Sequence, residues 1–148
     1  MKNLKSSHRL CDRRGFTVIE LLAVIGVFGI LAAIAVPRFV ALQPKFRLNG
    51  AARQVFGEIM SARAKAVNEN TTYTITFPNN YTVQVVGSAT RSVDLRTLFS
   101  SDVTVSSSAS TIHLSSRGTS DAASTITISN SAGSKTVSLK ITGSATIS

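Results

Sequence analysis

The hydrophobic rhythm of the chain changes twice. Phe16 to Val36 is a run of 21 residues in which Thr17 and Glu20 are the polar positions. About 20 apolar residues span the hydrocarbon core of a bilayer, so this run predicts a transmembrane helix. Past Val36, apolar residues recur at Leu48, Ala52, Val55, Ile59, Ala62 and Ala66, which is helical spacing. Arg53, Glu58, Arg63 and Lys65 occupy other positions, as on a solvated face. Together the two patterns predict one long helix from about Phe16 to about Asn68, roughly 80 Å at 1.5 Å per residue. Pro37 and Pro44 lie inside it. Each removes a helical hydrogen bond and predicts a kink or a loosening. The alternative is that Pro44 ends the helix and a second one starts near Leu48.

Asn68-Glu69-Asn70 ends the helical pattern, and the period becomes two. Tyr73, Ile75 and Phe77 alternate with polar residues, as do Tyr81, Val83 and Val85. Pro78-Asn79-Asn80 between them is turn chemistry and predicts a β-hairpin. Residues 93–99 fit a strand or a short helix. Val103/Val105, Ile112/Leu114, Ile126/Ile128 and Val137/Leu139/Ile141 give further short strands, with Asn130 to Ser134 as the loop between the last two. The Ser- and Thr-rich stretch 106–124 includes an expected exposed loop. The fold class is therefore α+β: a long N-terminal helix and an antiparallel β domain. The expected divisions are 1–15, 16–36, 37–68 and 69–148.

Charge sharpens the reading of the N-terminus. Residues 1–15 hold Lys2, Lys5, Arg9, Arg13 and Arg14 against Asp12. Positive charge before an apolar span keeps that end cytoplasmic, so the C-terminal part is expected on the far side of the membrane. The 148-residue chain has a net charge of +9. Without residues 1–15, it has 11 basic and 6 acidic residues, a net of +5. The only cysteine, Cys11, lies in that leader, so residues 16–148 contain no disulfide. Gly26, Gly29, Ala23, Ala32 and Ala33 give the apolar helix small surfaces where other helices approach closely.

Catalytic chemistry is sparse. His8 lies in the leader, and His113 alternates away from Ile112 and Leu114 on an expected strand, which makes it an exposed strand residue. There is no G-x-S-x-G, H-E-x-x-H, P-loop or C-x-x-C. Asp94, Asp102 and Asp121 lack the spacing of a calcium loop and are expected to cap turns or carry surface charge. Asn70 and Asn80 begin short N-x-T patterns of low specificity. No catalytic residue, metal or cofactor is expected.

The remaining conspicuous residue is Glu20. A carboxylate inside hydrocarbon costs roughly 2.5–3.5 kcal/mol on insertion scales, so it needs a partner or a purpose. The stretch Arg14-Gly15-Phe16-Thr17-Val18-Ile19-Glu20, with its basic flank and apolar run, resembles the type IV prepilin signature shared by pilins and by pseudopilins of type II secretion. The resemblance implies that a prepilin peptidase cuts between Gly15 and Phe16 and methylates the new Phe16 amine. Glu20 is then the family's acid at the fifth mature position. Physically, the Glu20 of one subunit could face the Phe16 amine of its neighbour, because a buried charge is tolerated when paired. Such pairing would set the stagger of subunits in a filament.

A narrower resemblance covers most of the remainder. The runs Ala51-Ala52-Arg53 and Ser61 to Asn70, followed at once by a strand, are similar to the GspH/FimT group of minor pilins and pseudopilins. Ile112-His113-Leu114, Ser116-Arg117-Gly118, Thr125 to Ile128 and Val137 to Ile141 follow that group's order. The resemblance implies the pilin fold and a structural subunit of a type II secretion pseudopilus or a type IV pilus, with other pilins as partners. Two alternatives remain. Some FimT-like pilins serve DNA uptake, and Arg91, Arg96, Arg117, Lys135 and Lys140 could contact nucleic-acid phosphates. Against that, the C-terminal Gly143 to Thr146 lacks the arginine-bearing glycine motif of such members. Alternatively, Ala33-Ile34-Ala35 is a signal-peptidase site, and a soluble secreted protein is released after Ala35.

Overall fold

A computed structural model describes residues 16–148. The leader, with Gly15, Cys11 and His8, lies outside the described residues. The chain forms two compact units, Met1–Val40 and Ala41–Ser148.

Helix α1 spans Val18–Asn68. It is helical through both Pro37 and Pro44, so Pro44 does not end it. A proline removes one donor, and the other bonds of each turn hold the helix together when surrounding residues supply them. In the first unit the apolar side chains of α1 are exposed, and its 18-residue window of highest hydropathy is wholly unburied. This is the one described helix long and apolar enough to cross a membrane.

In the second unit the same helix buries one stripe: Leu48, Ala51, Ala52, Val55, Ile59, Ala62 and Ala66. The small residues at 51, 52, 62 and 66 let strands approach the helix axis closely. Glu58 departs from the expected solvated face. It is 7% exposed, because position 58 stands on the same face as Val55 and Ala62. Its carboxylate is compensated there by Arg91 at 3.3 Å and by the Gln54 amide, which donates at 2.9 Å.

The end of α1 is a Schellman cap. Thr71 N–H donates to Ala66 O and Asn70 N–H to Val67 O, with Asn70 in the left-handed region at φ 49°. Asn is the residue besides glycine that takes this conformation most readily, which explains why Asn68-Glu69-Asn70 stops the helix.

Eight strands follow: β1 Tyr73–Asn79, β2 Thr82–Val86, β3 Thr90–Asp94, β4 Thr104–Ser107, β5 Thr111–Leu114, β6 Ser124–Asn130, β7 Gly133–Leu139 and β8 Ala145–Ile147. They form two antiparallel four-stranded sheets, ordered β3-β2-β1-β5 and β4-β6-β7-β8. The chain crosses to the second sheet at β4, returns to pair β5 with β1, then crosses again. Both sheets send alternate residues into one core with α1, including Ile75, Val83, Ile112, Ile126, Ile128 and Val137.

Several boundaries differ from the sequence expectation. Residues 93–99 are both options in turn: β3 ends at Asp94, which then caps the one-turn helix α2, Leu95–Leu98. Its carboxylate accepts from Arg96 N–H at 2.8 Å and Thr97 N–H at 3.2 Å. Pro78 falls inside β1, beside a register shift between Thr76 and Asn79, where a missing donor is tolerated. Ile141 lies beyond the end of β7 and is exposed. In the stretch 106–124, residues 115–119 form a hydrogen-bonded turn that brings Ser120 back to bridge Leu114.

Candidate functional site

The first turn of α1 is built as a cap. Thr17 precedes the helix, and its hydroxyl accepts from Glu20 N–H at 3.3 Å, while its carbonyl accepts from Leu21 N–H at 3.1 Å. Thr17-Val18-Ile19-Glu20 has the T-x-x-E spacing of a capping box, in which the hydroxyl satisfies a free helix donor. Glu20 also sits where the helix dipole favours an anion. The residue is thus suited to its position by helix chemistry as well as by charge. Glu20, Ala23, Val24, Val27 and Phe28 line one shallow apolar groove on the helix surface. Phe16 is 71% exposed at the start of the described chain. Ala33 to Ala35 lie inside α1, with no turn or strand at the alternative cleavage position.

In the second unit, the five candidate phosphate-contacting residues do not gather. Arg91 stands on β3 and is bound to Glu58. The guanidinium of Arg96, on α2, stacks 4.2 Å from the centre of the Tyr81 ring. Arg117 lies in the 115–119 turn, where its N–H donates to the Ser115 hydroxyl. Lys135 is on β7, and Lys140 is one residue past it; their spacing of five puts them on opposite faces. A basic residue outside this set has the larger structural part. Arg63 Nε donates to Gly118 O at 2.8 Å, joining α1 to the turn. Gly118 and Gly143 have φ of 75° and 77°, and Gly143 backs directly onto the Gly118 carbonyl and the Arg63 side chain. Only glycine fits that approach.

The isolated acids and His113 have local partners. Asp121 accepts from His113 N–H at 3.1 Å, and His113 Nδ1 lies 3.1 Å from the Thr74 hydroxyl. The Asp102 carboxyl is held below the ordinary carboxylate range, first by the Ser100 hydroxyl and then by that of Ser131. Glu69 is likewise lowered, by the Ser88 hydroxyl and then the Tyr73 hydroxyl. Among the described residues there is no cluster of three His, Cys, Asp or Glu side chains able to hold a metal.

Comparison with known proteins matches these features in two parts. The family described as Type II transport protein GspH matches residues 51–146. The Prokaryotic N-terminal methylation motif matches residues 11–36. A pilin-like protein of Thermus thermophilus is 39% identical over 59 residues, covering 39% of this chain and 36% of that protein. The type IV major pilin protein PilA of Myxococcus xanthus is 56% identical over 32 residues, covering 22% of this chain and 14% of that one. The chain therefore spans little more than a third of these curated relatives at most. Among solved structures, the type IV minor pilin FimU of Pseudomonas aeruginosa superposes with a TM-score of 0.60 at 17% identity, covering 70% of this chain and 90% of that one. The minor pseudopilin EpsH from the type 2 secretion system of Vibrio cholerae gives 0.56 at 8% identity, covering 69% and 96%. The architecture described above is accordingly the pilin fold.

Proposed function

Because the chain belongs to the GspH family, and carries an N-terminal methylation motif ahead of its family domain, we propose that it is a minor pilin or pseudopilin built into a pilus or pseudopilus. It is a structural subunit and not an enzyme. Residues 16–36 hold it in the inner membrane before assembly, with its basic leader on the cytoplasmic side and its β domain outside. A prepilin peptidase removes residues 1–15 and methylates the Phe16 amine. Other pilins or pseudopilins are its partners, reached through the exposed apolar face of α1.

Charge pairing supplies the assembly mechanism. Cleavage leaves a cation at Phe16. Glu20 of an adjacent subunit offers a carboxylate held at the first turn of its own helix. Alone in hydrocarbon each charge carries an insertion penalty; together they offset it, and the pair defines one axial register. Pro37 and Pro44 would act as the places where α1 bends or loosens on packing, since each lacks a helix donor.

The observation that carries this reading is the T-x-x-E turn of α1, a carboxylate set at the head of a wholly exposed apolar helix. The experiment is N-terminal sequencing and intact mass of the protein made together with a prepilin peptidase. An N-methylated start at Phe16 is expected. A start at Val36 would instead make it a secreted soluble protein, and an intact Met1 terminus an ordinary anchored one.

A further inference from the structure

From the cleft between the start of the packed part of α1 and the β6–β7 turn, we infer a binding site for the phosphate group of an anionic phospholipid. The cleft has a volume of about 250 Å³ and is lined by Lys45, Leu48, Asn49, Gly133, Ser134 and Lys135, together with Ala132. Two lysines therefore line one small space, together with an asparagine and a serine whose side chains are able to donate hydrogen bonds.

The site is held in place from both sides. Asn130 Nδ2 donates to the carbonyl of Pro44 at 2.8 Å, one residue before Lys45. The other atom of the same amide, Oδ1, accepts from Ala132 N–H at 2.8 Å and so shapes the turn itself. One side chain thus fixes the β6–β7 turn against the helix. Gly133, at φ 132°, passes through backbone space that suits glycine, and a side chain there would meet nothing. The cleft is open rather than filled.

Charge then defines the ligand. Lys135 alternates with Val137 and Leu139, both buried, so its stem runs along the helix-facing side of β7 and is half-buried. Among the described residues the ion pair is Arg91–Glu58, and neither lysine has a carboxylate partner. Asp102, tied to the same turn, accepts from Ser131 and does not line the cleft. A phosphate seated in a cleft lined by two lysines is attracted to both. A lysine ammonium binds phosphate as a point charge, and Asn and Ser complete the oxygen partners.

Sequence distance supplies the source of that phosphate. Lys45 follows Val36, the last residue of the apolar run, by nine residues. That is a reach of about 14 Å if helical and about 32 Å if fully extended. A membrane-anchored subunit therefore holds this lysine within reach of the headgroups on the outer side of the bilayer, where an anionic lipid presents its phosphate. The inference rests on the anchoring proposed above.

The test uses the full chain in nanodiscs of mixed phosphatidylglycerol and phosphatidylcholine, with bound lipid read by native mass spectrometry. Wild type is expected to prefer phosphatidylglycerol over phosphatidylcholine, and Lys45→Gln with Lys135→Gln to lose most of that preference, with only the general attraction of Arg38 and Arg47 left. Lys140→Gln, on the opposite face of the same segment, is expected to leave it intact. Sedimentation with the bilayer is measured in parallel. A double variant that still sediments but loses the preference isolates the site, whereas a wild type that does not sediment overturns the anchoring and the lipid source together. Unchanged preference in the double variant overturns the site. Displacement of the lipid by millimolar inorganic phosphate would assign the cleft to free phosphate. Displacement by duplex DNA, relieved by salt, would assign it to nucleic acid; either result overturns the lipid reading.

Discussion

Asn130 reaches across 86 residues of chain to donate its side-chain amide to the Pro44 carbonyl at 2.8 Å. It ties the hairpin between β6 and β7 to a turn of α1 already short of one donor. Pro44 has no N–H of its own, so the helix lacks one bond there, and the Asn130 contact adds an outside anchor to the same turn without replacing that bond.

Asn130→Ala should therefore cost about 1–2 kcal/mol, the range for a partly buried hydrogen bond whose partner is left unmatched. The loss should be local as well. Hydrogen exchange of the amides from Ser129 to Ser134 should accelerate in the variant, while β1 and β2 amides remain protected. Equal acceleration in both sheets would show that the contact is not what secures this hairpin.

Glu58 and Arg91 form the next test. The carboxylate is buried on α1 and the guanidinium is 63% exposed on β3. Solvent at the arginine screens the pair, so its net worth is modest. Arg91→Ala leaves a buried charge supported by Gln54 alone and should destabilise by about 1–2 kcal/mol. Glu58→Gln should cost less, because the amide keeps a hydrogen bond and removes the charge. A double-mutant cycle by urea denaturation measures the coupling; additive single effects would mean the contact contributes nothing.

Acid should loosen the end of α1. Glu69 accepts hydroxyls from Ser88 and Tyr73, and both hold its pKa below the ordinary value of 4.5. A carboxyl lowered on folding contributes stability that is fully present above its unfolded value. That contribution is lost as the pH falls from about 4.5 through the folded value. Asp102 behaves in the same sense from 3.8 downward. Thermal melts at pH 7, 5, 4 and 3 should show the drop concentrated below pH 4.5. Glu69→Gln should flatten the upper part of that drop, and a variant as acid-sensitive as wild type would assign it elsewhere.

The elements that the sequence made legible are those whose periodicity is undiluted. The helix stripe from Leu48 to Ala66 is legible from spacing, the β1–β2 hairpin from alternation with the turn residues near Asn80, and the long helix ends at Asn68. The burial of Glu58 is hidden in the sequence, because a charge signals exposure and its partner on β3 lies 33 residues later. The strand β8 was missed because Ala145-Thr146-Ile147 carries a single large apolar residue, which alternation cannot reveal. β3 is marked in the sequence only by Val93, since Thr90, Arg91 and Ser92 are polar and exposed on an edge strand. At the candidate site, Glu20 stands out by its chemistry and Phe16 through the prepilin resemblance, but the Thr17 cap does not, because it needs the helix start to be located first. The cleft at Lys45 and Lys135 could not be read at all. Those residues are 90 apart, and they meet only through the packing of α1 on the second sheet and the Asn130 tether.

The last prediction separates the two roles of the first turn. Thr17→Val removes the capping hydroxyl and leaves the charge of Glu20. It should weaken the helix start by about 1 kcal/mol, the usual value of a cap, and reduce filament assembly only in part. Glu20→Gln keeps the hydroxyl cap and removes the charge. In hydrocarbon an amide is less costly than a carboxylate, so membrane insertion should be unchanged or improved. Assembly, which relies on pairing with the neighbour's Phe16 amine, should fall by tenfold or more, corresponding to at least about 1.4 kcal/mol at each subunit contact. Membrane fractionation and the yield of sheared filament measure the two steps independently. If Glu20→Gln assembles as well as wild type while Thr17→Val does not, the acid matters as a helix cap and the charge-pairing mechanism is wrong.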